Sequence, residues 1–301
     1  MAVNLAAERN LLLPGLMEVA GLYPQIPTQW SRVFDTRQSL MSQERVASER
    51  YLSTAALKAQ GAPIAFDNSA GDRYVYNIVP YVLALGYAIT QEAIEDNLYK
   101  SKFEPTNLGL LDAFKRTKEI LGMNVLNTAT VYDSTVGGDG VALCSTAHPV
   151  DGNTWANRPA VDVGLNESSL ENAAITIRYF LDNAGQRIMA RPQKLIVPPQ
   201  LRYVAIRLLE TELRPGTANN DVNAVRMTGE FQGFDVMDYL TSAYAWFVKT
   251  DIPGLVHIDR VAFDIDCQVD FITKNLLVSG RERYAFSYTD PRAIYGSFPS
   301  N

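Results

Sequence analysis

Apolar and polar positions along the chain fall into blocks of different period. Over residues 107–128, Leu108, Leu111, Phe114, Leu121 and Val125 recur at helical spacing. Leu110, Ile120 and Met123 widen that stripe, and Lys115, Arg116, Lys118 and Glu119 take the other side. The pattern predicts a central helix with much of its circumference covered. Just before it, Thr90 is a candidate N-cap with Glu92, Glu95 and Asp96 near the helix start, and Pro105 stops or kinks that first run. A capping box, Ser168-x-x-Glu171, opens another helix with Leu170, Ala174, Ile177 and Leu181 on its apolar face and Gly185 at its end. Lys194-Leu195-Ile196-Val197 reads as a short buried strand, and Pro199 suits the first turn of the helix that follows. From Glu230 the pattern turns to strands at 234–240, 243–249, 262–273 and 281–288, with a packed aromatic tail at 291–298.

Two segments fit a lone globular subunit poorly. Residues 45–52 predict a polar strand, and 74–83, rich in β-branched and aromatic residues, its return. The small, polar stretch 53–72 between them makes a long hairpin with a mobile tip. Ten-residue arms span about 33 Å, and a hairpin so exposed calls for a partner; an ordinary surface loop is the alternative. Residues 1–36 read as an arm, with a short helix over 4–19 interrupted by Pro14, Gly15, Pro24 and Pro27. Trp30, Val33 and Phe34 are its apolar anchors, and it needs another surface to lie on; a frayed terminus is the alternative.

Composition narrows the classes. The 301 residues are 47% hydrophobic and 20% charged, which describes a folded protein with ample core. A net charge of −6 argues against a dedicated nucleic-acid grip, though not against a wall that faces nucleic acid. Cys144 and Cys267 are too few for a disulfide framework and read as reduced, buried thiols of a cytosolic protein. No secretory signal is visible, since Pro14 and Gly15 interrupt the apolar run 11–13. No run approaches the ~18 apolar residues of a membrane span.

The search for chemistry yields little. His148 sits in a His-Pro turn and His257 precedes a strand. Cys144 and His148 are four apart with no second pair, so a turn histidine beside a buried thiol is preferred to a metal or thiol-nucleophile site. Gly137-Gly138-Asp139-Gly140 is not a dinucleotide fingerprint, and no nucleophile elbow or phosphate loop occurs. The carboxylate pairs Glu92 with Asp96 and Asp264 with Asp266 read as capping and solvated charge. No catalytic residue, cofactor or metal is expected.

Several segments, in their order and spacing, carry a resemblance. They are Gly86-Tyr87-Ala88-Ile89-Thr90-Gln91-Glu92-Ala93-Ile94-Glu95-Asp96, Leu143-Cys144-Ser145-Thr146-Ala147-His148-Pro149, and Arg191-Pro192-Gln193-Lys194-Leu195-Ile196-Val197-Pro198-Pro199-Gln200-Leu201. Asp238-Tyr239-Leu240-Thr241-Ser242-Ala243-Tyr244-Ala245-Trp246-Phe247 and Pro291-Arg292-Ala293-Ile294-Tyr295-Gly296 complete the set. Together they resemble the major capsid proteins of tailed bacteriophages, most closely the Mu-like major head subunit family with the Hong Kong ninety-seven type coat fold. The resemblance implies an α+β fold: an arm at 1–36, an extended hairpin loop at 37–84 that overlaps a neighbour, a peripheral domain at 85–132 and 246–301 built on a spine helix, and an α/β axial domain at 133–245. It implies a structural, non-enzymatic protein that assembles with itself into hexamers and pentamers of an icosahedral shell around double-stranded DNA. That shell, the virion capsid, would be assembled in the bacterial host cytoplasm without contact with a membrane.

A separate scaffolding protein, a portal, a possible decoration protein and weak, non-specific contact with packaged DNA are the expected partners. Trp30, Phe34, Arg45, Glu49, Arg50, Lys58, Asp67, Asp72 and Arg73 are the candidate intersubunit contacts; solvated surface charge is the alternative for the charged ones. A Lys58–Asn275 isopeptide crosslink is conceivable, and non-covalent assembly is preferred. A nanocompartment shell of the same fold and a cytosolic hydrolase using Cys144 or a carboxylate pair are the rival readings.

Overall fold

The computed structural model describes residues 18, 21–25, 27–50, 52–64, 66–67, 71–96, 100–213 and 221–300. Except for Glu18, the expected arm helix over 4–19 lies outside them. Two four-stranded sheets carry the architecture. The first has the order β1 (Asp35–Gln38), β10 (Leu255–Val269), β11 (Leu276–Tyr288), β4 (Tyr81–Ile89), with β1 parallel to β10 and the rest antiparallel. The long helix α2 (Lys100–Asn127) lies on it. Leu110, Leu111 and Phe114 of α2 pack with Ile265, Cys267 and Val278 of the sheet. Contact is close enough that a Cβ at Gly280 would sit 2.8 Å from the Phe114 ring. The short helix α1 (Gln91–Glu95) precedes α2, and Thr90 caps it by accepting the Ala93 N–H, as the sequence predicts.

The second sheet has the order β12 (Ile294–Ser297), β9 (Trp246–Thr250), β7 (Pro192–Val197), β8 (Phe234–Val236). Its side chains alternate between two cores. Leu195, Val197, Trp246, Val248 and Tyr295 meet the helices α3 (Glu167–Arg178) and α4 (Arg202–Leu209). Ile196, Phe247 and Ile294 turn the other way, into the core shared with α2 and β11. A sheet buried on both faces explains why β7 reads as a continuous apolar run. The described residues also form a short helix α5 (Ala224–Met227) and two hairpins, β2 (Glu44–Arg50) with β3 (Gly71–Ile78) and β5 (His148–Val150) with β6 (Asn153–Trp155).

Several expectations are corrected. Helix α2 starts at Lys100, not near 107, and runs through Pro105. A proline so near the N-terminus loses one intrahelical bond, and the long buried face downstream outweighs it. Helix α3 is capped by Asn166, whose extended backbone lets its side chain accept the Ser169 N–H while Ser169 reciprocates. Ser168 lies inside that first turn. The helix ends at Arg178, and Gly185 instead supplies a positive φ of +78° in the turn after it.

The return arm of the long hairpin is divided. Gly71–Ile78 pairs with β2, whereas Tyr81–Ile89 joins β11, and Pro80, with no N–H to donate, marks the break. The paired arms are therefore 7 and 8 residues. β10 begins at Leu255 and β11 at Leu276, earlier than the alternation suggested, while β8 and β9 are shorter. Thus β9 and β12, both from the stretch 246–301, sit in the second sheet, and β10 and β11 in the first.

Candidate assembly interface

The segment ahead of β1 lies on its own chain. Trp30, 8% exposed, packs at 4.3 Å between ring centroids on His257 and edge-on at 5.4 Å to Phe286. Phe34 meets Phe286 at 5.0 Å. The Glu119 carboxylate of α2 accepts the backbone N–H groups of Gln29 (2.6 Å) and Trp30 (3.0 Å). Trp30 and Phe34, expected to touch a neighbouring subunit, are thus committed within the protomer. Their large apolar surface finds a core in the cleft between α2 and the first sheet.

Beneath this strap lies a buried charge. Glu282 of β11, 1% exposed, accepts the Tyr23 hydroxyl at 3.0 Å and faces Lys118 Nζ at 3.5 Å. The Lys118 ammonium also lies 4.4 Å from the centroid of the Tyr284 ring. Burial pushes the Glu282 carboxyl above the usual carboxylate range, against the pull of Lys118. Burial raises Glu119 likewise, opposed by the two backbone N–H groups it accepts. His257, expected ahead of a strand, is inside β10 and 1% exposed. Burial, reinforced by the Lys118 charge, lowers its pKa to about 3.

The hairpin residues divide into two sets. Arg50 Nε pairs with Asp151 Oδ2 at 2.6 Å, and Arg73 Nη1 donates to the Asn183 carbonyl at 2.7 Å, both within the chain. Arg45 and Glu49 are exposed on the outer face, with Glu49 directly opposite Asp72. Lys58 is exposed between the strands, and Asp67 accepts the N–H and hydroxyl of Ser53 there. The connecting segment also exposes Leu52, Leu57, Ile64 and Phe66. Sequence reasoning missed these, although three large apolar residues in the small, polar stretch 53–72 were a readable signal.

Strand β4 is a second exposed surface. Tyr81–Ile89 contains no charged residue and forms the edge of the first sheet, with Tyr81, Val82 and Leu85 exposed. Among the described residues no backbone hydrogen bond outside the β11 ladder reaches it. An apolar, uncharged edge of nine residues is the kind that pairs with another chain.

Cys144 and His148 are built into the interior, whereas Glu92, Asp96, Asp264 and Asp266 are exposed. Cys144 is 1% exposed, and burial pushes its thiol up, away from thiolate. His148 lies in strand β5, not a turn, and both ring nitrogens are engaged: Nδ1 with Asp139 Oδ2 at 2.8 Å and Nε2 with Asn157 Oδ1 at 2.9 Å. Asn157 Nδ2 donates to the carbonyls of Leu143, Pro291 and Ile294, which turns its Oδ1 toward the imidazole. The imidazole is therefore a strut between loops and tail, with no nitrogen left to serve a thiol. Among the described residues no group of three or more His, Cys, Asp or Glu side chains is placed to hold a metal ion. No described helix is long and apolar enough to cross a membrane.

Several solved capsids and a virus-like particle share this fold. A virus-like particle from Pyrococcus furiosus matches with a TM-score of 0.56 at 9% identity, over 94% of this chain and 97% of that one. The mature capsid of bacteriophage PhiM1 gives 0.56 at 9% identity, over 91% and 88%. The capsid of an empty GTA particle gives 0.54 at 13%, over 91% and 90%. No curated protein matches by sequence. Residues 76–297 match the family described as phage capsid protein. That span takes in the whole second sheet, every strand of the first except β1, the long helix and the polar struts, and the chain belongs to the phage capsid protein family as a major capsid shell protein of the Hong Kong ninety-seven type fold.

Proposed function

We propose that this chain forms hexamers and pentamers that close into an icosahedral shell around double-stranded DNA, without catalysing a reaction. The observation that carries the reading is the pairing of two unsatisfied surfaces on one subunit, the apolar segment between β2 and β3 and the uncharged β4 edge. Both require a protein partner, and repeated copies supply one. The outer-face charges Arg45, Glu49 and Asp72, with Lys58 and Asp67 in the connecting segment, are intersubunit contacts in this reading. Arg50 and Arg73 orient the hairpin within the subunit.

The first sheet with α1 and α2 corresponds to the peripheral unit, and the second sheet with α3 to α5 to the axial unit. Residues 1–36 are the arm and 37–84 the extended loop. Assembly proceeds in the bacterial host cytoplasm with a separate scaffolding protein and a portal, and with a decoration protein where one is present. The mildly acidic wall touches packaged DNA weakly, and the subunits hold together without a Lys58–Asn275 bond.

Negative-stain microscopy of the expressed chain tests the reading. Closed particles or hexameric rings are expected, and a compact monomer at high concentration would overturn it. DNA rather than enzyme cargo in particles from an infected host separates a virion from a nanocompartment. Mass spectrometry under denaturing conditions is expected to show monomer alone.

A further inference from the structure

We propose that Asn183 is a positioning residue that latches the β2–β3 hairpin to the second sheet's unit and thereby sets the curvature of the shell; this rests on the shell reading above. The hairpin is held in two ways. At its root Val46, Tyr76 and Ile78 pack against Val256, Ile258 and Ala285 of the first sheet. Farther out, the hold is polar: Arg50 pairs with Asp151, and four further bonds converge on one residue. Asn183 Nδ2 donates to Ser48 Oγ and to the Glu49 carbonyl, each at 2.7 Å. The Asn183 main-chain carbonyl accepts from Arg73 Nη1, and its side-chain Oδ1 accepts from Arg292 Nη2 at 2.8 Å. One residue, 6% exposed, therefore ties both hairpin strands to the tail.

The latch stands on a firm base. Asp182 Oδ1 accepts the N–H groups of Ala184 and Gln186, which closes the turn that presents Asn183. Arg292 is fixed in turn by Asp290 and the Leu181 carbonyl. Beside these bonds a cleft of about 610 Å³ separates Val46, Ala47, Ser48 and Glu49 from Ile188, Met189, Asp251 and Pro253. The hairpin thus meets the second unit there through directional bonds that water can replace at small net cost. The ladder register also shifts between Ser48 and Glu49, the two residues Asn183 holds. Bulges of this kind re-aim a strand. Apolar root, bulge and polar latch make a pivot with a stop, and the stop decides where the outer-face charges and the apolar connecting segment point.

The test uses the full chain with Asn183→Ala and, in case that variant fails to fold, the double variant Ser48→Ala/Arg73→Ala, which leaves Asn183 in place. Hydrogen exchange on unassembled subunits is expected to quicken on the order of tenfold at Glu49, Arg50 and Asp72, with the root at Val46 and Ile78 unchanged. Microscopy is expected to show a broadened distribution of particle diameters. Unchanged exchange together with the wild-type diameter would overturn the proposal, as would exchange quickened equally at the root. If the wild-type chain forms no particles, the shell reading fails, and the exchange measurement still decides the latch.

Discussion

Lys118 on the long helix and Glu282 on the central strand β11, 164 positions apart, meet at 3.5 Å beneath the strap that carries Tyr23 and Trp30. A buried ion pair is costly to break from one side and far less costly to replace whole. Lys118→Met alone is expected to destabilise the unassembled subunit by about 3–5 kcal/mol. The double variant Lys118→Met/Glu282→Leu should lie within about 1–2 kcal/mol of wild type. Denaturant unfolding of wild type, Lys118→Met, Glu282→Leu and the double variant closes the cycle, and additive losses would contradict a coupled pair.

The same region sets an acid response. His257 titrates at about 3 in the fold and about 6.5 in an unfolded chain. Stability present above pH 6.5 is therefore lost as pH falls toward 3, because only the unfolded chain takes up the proton; the effect is on the order of a few kcal/mol. Glu119 and Glu282 act in the opposite sense. Their raised pKa values mean that the folded state protonates first, which adds stability as pH falls through that range. His257→Phe should flatten or reverse the decline between pH 6.5 and 4.5. An unchanged midpoint-against-pH curve for the variant would exclude His257 as its source.

Glu49 and Asp72 stand directly opposite on the exposed face of the hairpin. Like charges in that relation disfavour the ladder. Asp72→Asn is expected to stabilise the isolated hairpin by about 0.2–1 kcal/mol. If the pair receives a basic group from a neighbouring subunit, the same change raises the protein concentration needed for assembly and weakens its salt dependence. Light scattering against concentration at two ionic strengths checks this, and an unchanged threshold counts against these residues as contacts.

Asn157 is fully buried, and its side chain joins the 143–145 loop, His148 and the tail through five hydrogen bonds. Asn157→Ala orphans several buried groups at once and is expected to cost about 3 kcal/mol or more. Thermal unfolding measures the loss. A shift of less than a degree or two would mean that the network is dispensable.

Helices and turns were legible because their signals are local. The stripe from Leu108 to Val125 marks α2, Thr90 caps α1 where expected, and Pro198-Pro199 separates β7 from α4. The long strands were less legible. In β10 the register shifts between Asp259 and Val261 and again between Val261 and Asp264, which resets the alternation that would betray a strand. The division of 71–89 between two sheets was likewise hidden, since both halves carry the same β-rich composition.

The resemblance placed the chain among capsid proteins from its ordered segments. The sequence by itself determined the amphipathic helices, the buried β7 strand and the apolar anchors Trp30, Val33 and Phe34 that need a surface to lie on. Tertiary structure alone decided where apolar side chains go: Trp30 and Phe34 inward onto His257 and Phe286, Leu57 and Phe66 outward. The reason is physical. Periodicity reports which residues share a face, whereas the partner of that face is fixed by contacts between residues more than a hundred positions apart, as with Arg73 and Asn183 or Lys118 and Glu282.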